Sequence, residues 1–312
     1  MGGGSWTTSA YATYSVSRGR SLDDSGTVTT AYASAQDMYT QRGISSRMDP
    51  KQFQVRECRD SDEHPNTLPV ILALDVTGSM GSAAMAVAKK LNGIVTDIGK
   101  EVKDAEFCVM AIGDTYCDSA PVQMSQFESD VRIAKAFDDV WFEAGGGSNE
   151  WESYTAAWYM AAYRTDLDVW KRGGRGVLIT LGDEVINPVL SLPELQGFIG
   201  GSARREPVQG GPLSADLSSR ALYDAVREKY DVYHVCVDHF HGIGIREGYL
   251  DRCRQSFADV IGEDHAFVST VDELPQLISR IVRDHAASLP DATVVSEEPS
   301  STKVDENGDI DW

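Results

Sequence analysis

Cysteine is scarce in this chain of 312 residues and lies scattered, at Cys58, Cys108, Cys117, Cys236 and Cys253, with no Cys-x-x-Cys pair. An odd set of separated thiols suits a reducing cytoplasm. Long hydrophobic runs are also missing. No stretch approaches the ~18 apolar residues of a spanning helix, and the opening "MGGGSWTTSAYATYSVSRGRS" has no apolar signal-peptide segment. Trp6 stands where a myristoylation signal needs Ser or Thr. A soluble, cytoplasmic protein without membrane contact is expected. Positive charge is the third shortage: 28 Lys and Arg face 48 Asp and Glu, for a formal net charge of -20. Such a surface repels nucleic-acid phosphates and anionic lipid. No nucleic-acid partner is expected, and a basic or cationic one suits the charge better. No internal repeat is visible.

What is present is core material. Hydrophobic residues make up 42% of the chain, enough for one large α/β domain with tails. Residues 1–66 are rich in Ser, Thr, Tyr, Gly and Arg without periodicity and read as a polar arm, flexible or ordered only by docking. If it docks, "DPKQFQVRECRDSD" is the stretch expected to add an edge strand. Residues 286–312 are acidic, carry Pro and Ser, and read as a tail. Between them, over 67–285, apolar runs alternate with amphipathic stretches. "LPVILALD", "AEFCVMAIGD", "RGVLITLGD" and "DVYHVCVDH" are expected as strands. "GSAAMAVAKKLNGIVTDIGKEV", "ESDVRIAKAFDDV", "ESYTAAWYMAAYRT", "SSRALYDAVREKY" and "VDELPQLISRIVRDH" are expected as helices. Continuous apolar strands separated by helices predict a Rossmann-like, doubly wound, mostly parallel sheet covered on both faces. Ligands of such sheets collect beyond the carboxyl ends of the strands. There, "DVTGS", "GGGSNEWES" and "GDE" should converge.

Asp75, Thr77 and Ser79 offer one carboxylate and two hydroxyls at the end of the first strand, all hard oxygen donors of the kind Mg²⁺ or Mn²⁺ accepts. The plainer alternative makes Thr77 or Ser79 a helix cap and Asp75 a carboxylate facing the helix dipole. "DVTGSMG" resembles the metal-ion-dependent adhesion site of the von Willebrand factor A family, whose first signature is Asp-x-Thr/Ser-x-Ser; the resemblance covers about 68–285. The second loop, "AGGGSNEWESYTAA", is similar to the Gly-Gly-Gly-Asp-x-Pro-Glu version found in domains joined to alpha-type kinases and in some matrix proteins. The match falls on Gly146, Gly147, Ser148, Asn149 and Glu152, with Asn149 where Asp or Thr is usual and Trp151 where Pro is usual. Either Ser148 or Asn149 is the implied ligand. In "VLITLGDEV" the implied third-loop ligand is Asp183, with Glu184 the near alternative. A glycine before that carboxylate is expected to let the backbone pass close to an ion.

The resemblance implies a non-enzymatic interaction module in which Mg²⁺ or Mn²⁺ is held by Asp75, Thr77, Ser79, Ser148 or Asn149, and Asp183. The ion then receives a Glu or Asp from a protein partner. It also implies work beside a MoxR-type AAA+ ATPase or a kinase. A metal-dependent phosphatase or hydrolase of the haloacid-dehalogenase type, with Asp75 as nucleophile, is the second reading. Thr77 then stands where its general acid belongs.

Other motifs are weaker. Asp114 and Asp118 in "MAIGDTYCDSAP" are expected as solvated loop carboxylates more than as a second acidic site. His234, His239 and His241, with Asp238, match no closed zinc spacing and read as satisfied strand-end histidines. "GIGIREG" is only an approximate glycine-rich match. Trp151, Tyr154, Trp158 and Tyr159 form either a docking face or core, and helical spacing favours core.

Overall fold

A computed structural model describes residues 4–145, 151–200, 215–238 and 248–289. Its centre is β1 (Leu68–Asp75), in which every residue is buried. Alternate side chains serve opposite faces, as strand geometry requires: Val70, Leu72 and Leu74 join one core, Ile71 and Ala73 the other. Around it stand β2 (Ala105–Ile112), β3 (Val122–Met124), β4 (Gly176–Gly182), β5 (Tyr230–Asp238) and β6 (Ala266–Thr270). The spatial order is β6-β5-β4-β1-β2-β3. All pairings are parallel except that of β3 on β2, so the edge strand alone runs backwards. The order reverses at β1, beside β4. This is the switch point of a doubly wound sheet, where a crevice opens beyond the strand ends.

Helices cover both faces. On one lie α3 (Gly81–Lys89), α4 (Leu91–Gly99), α5 (Arg132–Asp138) and α10 (Leu274–Ser288); on the other, α6 (Tyr154–Tyr163), α7 (Leu192–Ile199), α8 (Ser219–Val226) and α9 (Tyr249–Ile261). The single helix expected from Gly81 onwards is broken at Lys90, whose ψ of 10° leaves the helical region. The amphipathic period crosses the break unchanged, so the pattern could not reveal it. α10 continues past the expected boundary at 285 to Ser288.

The N-terminal arm is packed onto the first of these faces. Its α1 (Thr8–Ser17) and α2 (Ala35–Met38) bring Tyr11, Tyr14, Met38 and Tyr39 into the core around α3, α4 and α5. Tyrosine buries a large apolar ring when its hydroxyl finds a partner. Here the Tyr14 hydroxyl donates to Asp138 Oδ2 at 2.8 Å and the Tyr39 hydroxyl to the Ala84 carbonyl at 2.9 Å. His64 closes the arm, with Nδ1 3.2 Å from Asp104 Oδ1 and Nε2 2.8 Å from the Gly4 carbonyl. Arg56–Cys58 does not extend the central sheet. It forms a separate parallel ladder with Thr165–Leu167.

Candidate functional site

β1 ends at Asp75, whose neighbour in register is Ile112 of β2, and the chain turns through Gly78–Met80 into α3. Thr77 precedes that turn in an extended conformation and makes no capping bond to it; Met80, not Ser79, precedes α3. The capping alternative therefore does not describe the turn. Instead Thr77 Oγ1 and Thr77 N donate to Asp75 Oδ1 at 2.5 and 2.8 Å. Across the switch point, Ser79 Oγ donates to Asp183 Oδ1 at 3.1 Å, just beyond the end of β4. Asp75 and Asp183 are 1% and 0% exposed. The structure thus brings Asp75, Thr77, Ser79 and Asp183 together, and Asp183 rather than Glu184 faces Ser79.

The electrostatics follow from that crowding. Burial pushes the Asp75 carboxyl up to about 7, the charge of Asp183 adds to the rise, and the bonds from Thr77 and Tyr154 oppose it. Glu152 is a third acid of this pit. Burial pushes it up to about 10, helped by Asp75, Asp114, Asp118 and Glu184. Its Oε2 is buried with no hydrogen-bond partner among the described residues. Glu152 reaches this position through a short parallel pairing of Trp151–Glu152 with Val185–Ile186.

Sequence reasoning missed Tyr154. It opens α6, is fully buried, and its hydroxyl donates to Asp75 Oδ2 at 2.7 Å. Gly182 is what makes room: a Cβ there would stand 2.0 Å from the Tyr154 hydroxyl oxygen. The glycine before Asp183 therefore admits a tyrosine ring. Trp158 and Tyr159 are buried core residues, whereas Trp151 lies on the short strand before α6 and is 41% exposed.

The second loop approaches the first. Gly78 N donates to the Gly145 carbonyl at 3.1 Å, and Ala144 takes a positive φ of 54° at that crossing. Ser148 and Asn149, with Gly146 and Gly147, lie outside the described residues. Asp114 corrects the solvated reading: it is 1% exposed. It accepts from Tyr116 N at 2.8 Å, while Asp118 Oδ2 accepts from Asp114 N at 2.8 Å, so the pair shapes the loop. His234 is buried, its Nδ1 2.8 Å from Thr180 Oγ1 and its ring stacked on Phe257. His239, His241 and most of "GIGIREG" lie outside the described residues.

The donor set is one of hard oxygens, suited to a divalent cation of the Mg²⁺ type. A hydroxyl that donates its hydrogen to a carboxylate still has lone pairs to offer. Thr77 and Ser79 both stand that way. Among the described residues no group of three or more His, Cys, Asp or Glu side chains is arranged to hold a metal. The set that fits here is two carboxylates with two hydroxyls.

No family profile and no curated protein matches the chain. Solved structures do. The pilus adhesin SpaC from Lactobacillus rhamnosus GG matches at 14% identity and TM-score 0.45, over 72% of this chain but only 30% of its own. The vWF domain of the type V pili tip protein Mfa5 from Porphyromonas gingivalis matches at 13% identity and TM-score 0.43, over 73% of this chain and 98% of that domain. The conserved hypothetical protein BatB from Bacteroides thetaiotaomicron matches at 15% identity and TM-score 0.38, over 71% and 100%. The chain thus spans about a third of SpaC and nearly all of the other two. The strand order itself makes this a doubly wound, mostly parallel α/β fold. No helix among the described residues is long and apolar enough to cross a membrane.

Proposed function

We propose that this chain is a metal-ion-dependent protein-interaction module of the von Willebrand factor A type. Asp75, Thr77, Ser79 and Asp183, with Ser148 or Asn149, hold Mg²⁺ or Mn²⁺, and a protein partner supplies a Glu or Asp. The observation that carries the reading is the burial of Asp75 and Asp183 side by side at the switch point, each bonded to a hydroxyl of the same turn. Two buried carboxylates crowded together without a counter-charge are stabilised by a dication. When bound, the ion supplies a nearly neutral electrophilic centre that attracts one more carboxylate. The chain's own residues do the rest: Tyr154 and Thr77 orient Asp75, and Ser79 orients Asp183.

A phosphatase with Asp75 as nucleophile is less well supported. Asp75 Oδ1 accepts two bonds from Thr77 and Oδ2 one from Tyr154, so neither oxygen is left without a donor, and no acid stands two residues on. A component of a MoxR-type AAA+ ATPase or kinase system remains the proposed partner, on resemblance alone.

The test has two parts. Melting of wild type and Asp75→Ala is compared in EDTA and in millimolar Mn²⁺ or Mg²⁺, and only wild type should gain stability from metal. Retention of a purified ATPase or kinase partner should then require both Asp75 and the metal. An unchanged wild-type melting temperature sinks the metal site. Turnover of a generic phosphate ester with Mg²⁺, lost in Asp75→Ala, would favour the enzyme instead.

A further inference from the structure

At the seam between the N-terminal arm and the antiparallel edge of the sheet lies a cavity of about 420 Å³. That volume is in the range of small-molecule sites. Its seam is fixed by the Met124 N–H, which donates to the Met48 carbonyl at 2.8 Å. The lining is unlike the rest of this acidic chain: Arg47, Arg56, Arg132 and Lys135 outnumber Glu128 and Asp139. Asp139 is engaged by Lys135, and Glu128 lies beside Arg132, which Asp130 also holds. Glu128 Oε2 is 3.2 Å from Arg132 Nε, and Asp139 Oδ1 is 2.8 Å from Lys135 Nζ.

Arg56 is the exception. Its guanidinium donates to the carbonyls of Met124, at 2.9 Å, and Arg47, and stacks 3.6 Å over the Phe53 ring, but makes no ion pair among the described residues. Its Nε is buried without a hydrogen-bond partner. Burial pushes its affinity for the proton down, to about 10, although a guanidinium stays charged at that value. A desolvated cation with neutral acceptors only is costly, and a matching oxyanion relieves the cost. Met48, Ala136 and the aliphatic stems of the basic side chains give the same cavity apolar wall.

We propose that this cavity binds a small organic oxyanion, its carboxylate or phosphate head at Arg56 and its apolar body against Met48 and Ala136. The site is independent of the metal reading, since none of its residues belongs to the strand-end cluster.

The experiment is methyl NMR on the full chain labelled at its eight methionines, with chelator present so that no cation at the strand ends captures the probes. Phenyl phosphate, benzoate, inorganic phosphate and benzyl alcohol are titrated, and Met48 is assigned with Met48→Leu. Phenyl phosphate or benzoate should shift the Met48 methyl saturably, the difference between them telling a phosphate from a carboxylate head. Inorganic phosphate should bind more weakly, and neutral benzyl alcohol should give no shift. Arg56→Met should weaken the bound anion about tenfold or more, with partial recovery in Arg56→Lys. Ala136→Leu fills the cavity without touching a charge and should weaken binding as well, which keeps the test decisive if Arg56→Met does not fold. A silent Met48 methyl up to about 10 mM probe, equal affinity in wild type and Ala136→Leu, or benzyl alcohol binding as well as the anions would each overturn the proposal.

Discussion

Tyr154 reaches Asp75 through the space that Gly182 leaves open: hydroxyl to Oδ2 is 2.7 Å, and a methyl group on Gly182 would occupy the hydroxyl's place. Tyr154→Phe removes the donor but leaves the buried oxygen. A loss of about 1–3 kcal/mol is expected in denaturant unfolding with chelator present. Gly182→Ala must displace the ring and should cost at least as much. Wild-type stability in Tyr154→Phe would show that Asp75 does not depend on this bond.

Asp75→Asn keeps an acceptor for Thr77 and removes one of two crowded charges. In chelator the variant should be no less stable than wild type, because the repulsion from Asp183 is gone. In metal the order should reverse. Wild type gains about 2.7 kcal/mol at a metal concentration of ~100 Kd, and the variant gains much less. Equal gains in both proteins, read from melting curves, would remove Asp75 from the proposed shell.

His64 faces acceptors at both ring nitrogens, Asp104 and the Gly4 carbonyl, and the bond to Asp104 holds its pKa above the usual value. A raised folded-state pKa contributes stability that is fully present below the unfolded value of about 6.5 and is lost as pH rises through the folded value. The arm's closure should therefore weaken from mildly acidic to alkaline pH. Limited proteolysis should cut near the N-terminus faster at the higher pH in wild type. In His64→Gln the cutting should be fast at both.

Lys229 has the opposite sign. It is 7% exposed, donates to the Thr165 carbonyl at 3.0 Å and lies 4.2 Å over Trp170, and burial pushes it down from 10.5 to about 8. Between those values the unfolded chain binds the extra proton, so stability rises with pH across that window. Relative to Lys229→Met, wild type should gain up to about 3 kcal/mol between pH 8 and 10.5 in urea titrations. A flat difference between the two proteins would mean that Lys229 is not desolvated in solution.

Legibility followed range along the chain. "LPVILALD" declared β1 because all its residues are apolar up to the closing Asp, and Asp75, Thr77 and Ser79 could be read together because five residues span them. Tyr154 could not be tied to Asp75, since 79 residues separate them and its neighbours on α6 look like ordinary core. β6 was missed because "AFVST" is short and only half buried at the sheet edge. The arm looked polar because Ser, Thr, Gly and Arg surround its tyrosines with no helical or strand period, whereas Tyr11 and Tyr14 bury their rings against helices far along the chain.

The docked arm also sets an order of events. During synthesis it emerges before the sheet it covers, yet Tyr14 must wait for Asp138, 124 positions later, and the Gly4 carbonyl for the hydroxyl of Ser129, 125 positions later. Contacts of such separation close late. The arm is thus among the last segments to settle although it is made before its partners, and until it does the α3–α4 face of a nascent chain lies bare, a natural stopping place for a chaperone.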